Sequence, residues 1–211
     1  LAEVVAEIEA GGGDAFAVGC DVSDGERCPA AVTSAIEQLG GLDGFVYAPG
    51  ISTLSLLRDA SQADWRRVLD VNVIGASLVT AAAVDALERD GGRGVFVGSY
   101  SVRQSLPGIG LYSTSKVALD GLIEAWRMER PKVEFTRALL GNTAGTEFAD
   151  GWGREQITEL TRTWVERGLF PAPTMMPLES AAEAIVALFA IRGFVDDIAI
   201  MPSPRDTQAL G

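Results

Sequence analysis

Val95-Phe96-Val97-Gly98-Ser99-Tyr100-Ser101 and Tyr112-Ser113-Thr114-Ser115-Lys116, with thirteen residues from Ser99 to Tyr112, decide how this chain reads. The apolar run ending in Gly-Ser marks a buried strand whose carboxyl end carries the Ser99 hydroxyl. In an open α/β sheet that end of a strand borders the ligand crevice. Tyr112 and Lys116 lie four apart within 110–130, where Val117, Leu119, Leu122, Ile123 and Trp126 recur with helical spacing, so the pair shares one helix face. A free phenol, with a pKa of about 10, is a poor base at neutral pH. A lysine ammonium a few Å away favours the phenolate, which would let Tyr112 give or take a proton near neutrality. Tyr-x-x-x-Lys alone is a frequent accident on amphipathic helices, so the weight rests on its combination with Ser99 and the rest of the chain.

Composition narrows the possibilities. A chain of 211 residues, 47% of them hydrophobic, can bury one substantial core, and a single domain over 1–211 is expected. The net charge of −12 argues against a nucleic-acid partner and fits a role in solubility. Histidine is absent, which removes Ser-His-Asp and Cys-His nucleophiles and every histidine-containing metal site. Cys20 and Cys28 match no zinc or redox spacing. They suggest reduced thiols and a cytoplasmic location, with Cys20 buried rather than reactive. The apolar stretch Val71 to Val84 is too short to span a bilayer and reads as a buried helix, so no membrane partner is expected.

Along the chain, Leu1, Val4, Val5 and Ile8 form a helical stripe ended by Gly11-Gly12-Gly13. This glycine run follows a helix rather than a strand, so it reads as a stop and turn, not a phosphate loop. Strands are expected at 15–21, 42–47, 95–99, 133–140 and 195–201. Helices are expected at 23–39 with Ser23 or Asp24 as cap, at 61–89 capped by Ser61, at 110–130 and at 178–191. Asn72 stands as a polar group inside the apolar middle of the long helix, where it needs a partner. Residues 147–176 contain no strand pattern but carry Phe148, Trp152, Trp164, Phe170, Met175 and Met176, which favour core packing. The alternation implies α/β architecture, a doubly wound parallel sheet with helices on both faces.

Ser99, Tyr112 and Lys116, with Asn72 in Asp-Val-Asn-Val-Ile-Gly and Asp21-Val22 in Cys-Asp-Val-Ser-Asp, resemble the short-chain dehydrogenase/reductase family over most of the chain. The resemblance implies a Rossmann-like domain that begins at the helix before the family's third strand and so lacks its first two strands. On that reading the functional protein carries about 30 to 45 further residues before Leu1, enough for a strand-helix-strand unit. Tyr47-Ala48-Pro49-Gly50 keeps only the glycine of the family's Asn-Asn-Ala-Gly, and 141–146 keeps only the Thr146 of its Pro-Gly-x-x-x-Thr.

The resemblance further implies an NAD(P)-dependent oxidoreductase acting on a small-molecule alcohol or carbonyl. The catalytic set would be Asn72, Ser99, Tyr112 and Lys116, with Asn72 linked through water to Lys116. The NAD or NADP cofactor would lie against Asp21, Val22, Ala48, Gly50, Tyr112, Lys116, Asn142 and Thr146, beneath a substrate lid at 146–177. A homodimer or homotetramer through the helices at 61–89 and 110–130 is expected, since the first is apolar on more than one face. A non-catalytic nucleotide-binding member of the same fold remains open. A Ser/Lys hydrolase ranks lower, because Val-Gly-Ser-Tyr-Ser lacks the Gly-x-Ser-x-Gly elbow.

Overall fold

The computed structural model describes residues 1–149, 151–169 and 175–203. Four parallel strands form one sheet in the order β1 (Gly44–Tyr47), β2 (Arg93–Ser99), β3 (Glu134–Leu140), β4 (Asp197–Ile200). The register pairs Tyr47 with Phe96 and Ser99 with Leu140, which aligns the carboxyl ends of the strands along one rim. The first helices are α1 (Ala2–Ala10), α2 (Arg27–Leu39), α3 (Gln62–Leu69) and α4 (Ala76–Asp90). They are followed by α5 (Gly110–Glu129), α6 (Arg154–Glu166) and α7 (Leu178–Ala190). On one face of the sheet Phe96, Phe135, Leu87, Leu119 and Ile123 form a core sealed from solvent; burial of each such side chain contributes about 1.5–3 kcal/mol. On the other face, Val95 and Ala138 pack against Ile185 and Leu188 of α7. The arrangement is the expected parallel α/β sheet covered on both faces.

The local signals act as their chemistry requires. Asp24 accepts the amides of Glu26 and Arg27 at 3.0 and 2.9 Å at the start of α2. Ser61 and Asp64 form a reciprocal capping box on α3.

Three expectations need correction. Residues 15–21 do not form a strand, because a strand requires a hydrogen-bonded neighbour and none lies beside this segment among the described residues. For the same reason Cys20 is exposed, not buried, whereas Cys28 is buried. The helix at 61–89 is not uniform: a π-helical segment, Asp70–Gly75, separates α3 from α4. There the Tyr47 hydroxyl donates to the Val71 carbonyl at 2.5 Å, and Gly75 makes room, since a Cβ at that position would lie 2.7 Å from the Tyr47 oxygen. The 147–176 region packs inward as expected: it contains a helix, α6, whose Trp164 is buried, and Met176 is buried as well, while Met175 is exposed. Phe170 lies outside the described residues.

The run 62–89 is long and apolar enough to cross a bilayer by length and composition alone. In this fold it packs against α2, α5 and β1, as a core helix does.

Candidate active site

Ser99 ends β2 at the rim, and its Oγ accepts the Ser101 amide at 3.2 Å. The first turn of α5 brings the Tyr112 hydroxyl beside the Ser99 side chain. One turn later Lys116, only 3% exposed, donates to the Val97 carbonyl at 2.9 Å, with its Nζ 5.7 Å from the centre of the Tyr112 ring. The spacing read from sequence therefore converges on one point. Its electrostatics differ from the expectation. Burial raises Tyr112 above the ordinary phenol value, opposed by the Ser99 hydrogen bond, so the phenol is protonated at neutral pH. Burial also lowers Lys116 to about 8.

The cause of the Tyr112 shift lies overhead. Phe148 packs edge-on against the ring at 4.8 Å, and Trp152 packs on Phe148 at 5.0 Å. Leu54, Ile109, Ile157 and Leu160 complete an apolar cover. Trp164 donates to the Pro107 carbonyl at 2.9 Å, tying α6 to the loop that precedes α5.

Asn72, on the π segment and fully buried, finds its partners in the Ile51 backbone and the Ser115 hydroxyl. Its Nδ2 donates to the Ile51 carbonyl at 3.0 Å and to Ser115 Oγ at 2.8 Å, while its Oδ1 accepts the Ile51 amide at 2.8 Å. It fastens the loop after β1 to α5. A Cβ on Gly50 would sit 3.3 Å from Lys116 Nζ and 3.7 Å from Asn72 Oδ1. The missing side chain thus leaves a cradle over both groups.

Residues 1–156 match the short chain dehydrogenase family. The chain belongs to that family. Among curated relatives it is 36% identical over 191 residues to 2-(S)-hydroxypropyl-CoM dehydrogenase 3 of Xanthobacter autotrophicus, a match covering 88% of this chain and 73% of that protein. It is 32% identical over 148 residues to L-2,3-butanediol dehydrogenase of Corynebacterium glutamicum, covering 69% of this chain and 57% of the relative; the chain spans little more than half of that length. The structure of an alcohol dehydrogenase from Thermococcus sibiricus, complexed with 5-hydroxy-NADP, superposes with a TM-score of 0.79 at 21% identity. That superposition covers 94% of this chain and 80% of the other, a likeness of fold.

The remaining residues singled out in the sequence spread around the rim of the sheet. A cleft of about 590 Å³ opens between Asp21, Ser23, Ile51, Arg66, Asp70 and Val71. Asp21 is exposed there, with its carboxyl held below the usual range by hydrogen bonds from the hydroxyl and amide of Ser23. Val22 is half-buried, and Ala48 is exposed after β1. Asn142 and Thr146 are exposed on the loop after β3, which is pinned by the Met176 amide donating to the Asn142 carbonyl at 2.8 Å. Sequence reasoning missed Ser115 as an Asn72 partner and Phe148 as the ring against Tyr112. The first was legible in Ser-Thr-Ser-Lys, where position 115 shares the buried side of α5. The second depends on a loop fold that no periodicity announces.

Proposed function

We propose that this protein is an NAD(P)-dependent oxidoreductase that interconverts a small-molecule carbonyl and its alcohol, with Tyr112 as the proton carrier. The observation that carries the reading is Ser99 beside the buried Tyr112, with the buried Lys116 ammonium 5.7 Å from the centre of the ring. The cradle over Gly50 and the cleft at Asp21 fit an extended dinucleotide. Asp21 and Val22 would hold its adenine end, with Ala48, Gly50 and Asn142 along its length. Lys116 and Tyr112 would meet its ribose, and Thr146 its carboxamide. When bound, the nicotinamide supplies or accepts the hydride.

The chain's own groups do the rest. Ser99 holds the carbonyl oxygen by a hydrogen bond. Tyr112, kept protonated by burial, gives its hydroxyl proton to that oxygen as negative charge develops there. The Lys116 ammonium stabilises the phenolate left behind. Asn72 holds the loop at 50–51 against α5, so that these groups keep their spacing, and Phe148 and Trp152 exclude water. We also propose a homodimer or homotetramer, supported by Ile74, Val117 and Met128, which are 48%, 53% and 81% exposed on the helical runs at 70–90 and 110–129.

The test follows nicotinamide absorbance with NADH and NADPH against a panel of ketones and alcohols. Turnover on at least one substrate is expected, with Ser99→Ala reducing kcat/KM by about 10- to 100-fold, the range for one hydrogen bond to developing charge. Cofactor binding without turnover on any member of a broad panel would favour a nucleotide-binding role.

A further inference from the structure

Lys116 is an ammonium almost wholly removed from water, and among the described residues the acceptor it reaches at hydrogen-bond distance is the neutral Val97 carbonyl. A charge so placed needs a compensating charge or it gives up its proton. One turn along α5, on the same face, stands Asp120. Its side chain is 16% exposed; Oδ2 meets Arg137 Nη1 at 2.9 Å, while Oδ1 is buried without a hydrogen-bond partner. Arg137, on β3, is shared. Its Nε and Nη2 take both oxygens of Asp197 on β4 at 2.7 and 2.5 Å. Arg127 Nη2 also approaches Asp197 Oδ1 at 3.8 Å, so Asp197 is shared between two guanidiniums, and Asp120 is the carboxylate that stands on the lysine's own helix.

We propose that Asp120 is a positioning residue for Lys116: its carboxylate, held by Arg137, supplies the counter-charge that keeps this lysine protonated while it serves Tyr112. The catalytic consequence rests on the role proposed above for Lys116. Among the groups that face Lys116, Asp120 is the acidic one that acts on it electrostatically. On α5 these are Tyr112, a phenol, and Asp120. β2 presents the Val97 carbonyl, and the π segment presents the Asn72 amide. Arg137 and Asp197 stand behind Asp120, whereas Arg66, Arg67 and Asp70 line the solvent-filled cleft. Lys116 and Asp120 act on each other electrostatically, the carboxylate raising the lysine against its burial. Burial, the largest influence, raises Asp120 above the ordinary carboxyl value, and the Arg137 guanidinium at 2.9 Å opposes it.

The chain has two lysines, Lys116 and Lys132, and the side chain of Lys132 is 78% exposed. Carbon-13 NMR of lysine-labelled protein therefore reads Lys116 directly, with Lys132 as internal reference. Asp120→Asn is expected to lower the Lys116 midpoint by about one pH unit, as for loss of a nearby charge of opposite sign. Asp120→Glu restores it, Asp197→Asn shifts it less, and Lys132 does not move. In carbonyl reduction, the upper pH limb of kcat/KM moves down with the Lys116 midpoint. An unmoved Lys116 midpoint in folded Asp120→Asn, or in Asp197→Asn and Asp120→Ala if the first variant is too unstable, would overturn the proposal. It would leave Asp120 as a strand-to-helix tie. Failure of the Tyr112 mechanism would appear separately, as turnover that survives loss of the phenol, with the lysine titration still shifted.

Discussion

Replacing Asn72 by alanine tests how the site is held together. The side chain is fully buried and makes three hydrogen bonds: two donated, to the Ile51 carbonyl and Ser115 Oγ, and one accepted from the Ile51 amide. Each bond lost costs about 1 kcal/mol net, and an amide left buried without an acceptor adds about 1–3 kcal/mol. Ile51 is only partly buried, so water recovers some of that penalty. A loss of about 3 kcal/mol is expected, measured by urea unfolding with the slope unchanged. Because Ile51 follows the Gly50 cradle, the same change should weaken nicotinamide cofactor binding by about tenfold, the equivalent of 1.4 kcal/mol in loop placement. A stability loss below about 1 kcal/mol, with cofactor affinity intact, would refute the view that Asn72 fastens this loop.

Three further outcomes follow from the same contacts. Ser61→Ala removes half of the capping box on α3 and should cost about 1 kcal/mol in the same unfolding assay. Lys116, with a folded pKa of about 8 against 10.5 for the ordinary group, binds fewer protons than the unfolded chain between those values, so its contribution to stability rises with pH through that window. Tyr112, shifted upward, opposes this only above pH 10. Between pH 8 and 10 the wild type should therefore gain about 2 kcal/mol relative to Lys116→Met, and parallel pH profiles for the two proteins would contradict the buried-ammonium account. Light scattering at micromolar concentration should give two or four times the chain mass, and Val117→Glu should reduce it; a monomeric wild type would refute the proposed assembly.

The sequence disclosed the parts of this fold that depend on short-range pattern. Val95-Phe96-Val97 was readable as a strand because both faces are covered, and Tyr112 and Lys116 could be set side by side because helical spacing is rigid. Asn72 announced its need for a partner by standing among apolar neighbours, but not which partner, since Ile51 lies on a loop twenty-one residues away. The π segment was hidden because its residues have ordinary helical character; the extra turn follows from tertiary demands at Tyr47, Val22 and Gly75. The segment 15–21 showed strand composition without pairing, because strand formation belongs to two segments and not one. The sign of the Tyr112 shift was misjudged for a related reason. A lysine four residues away is visible in sequence, whereas the cover supplied by Phe148 and Trp152 is not.

The central claim is that the Tyr112 hydroxyl carries the proton. Tyr112→Phe keeps the ring packed against Phe148 and deletes only the hydroxyl oxygen beside Ser99, so the variant should fold with nearly unchanged stability. On a carbonyl that the wild type reduces, its turnover should fall by about 10²- to 10⁴-fold, the usual contribution of a positioned general acid. Wild-type turnover in a folded Tyr112→Phe protein would contradict the mechanism.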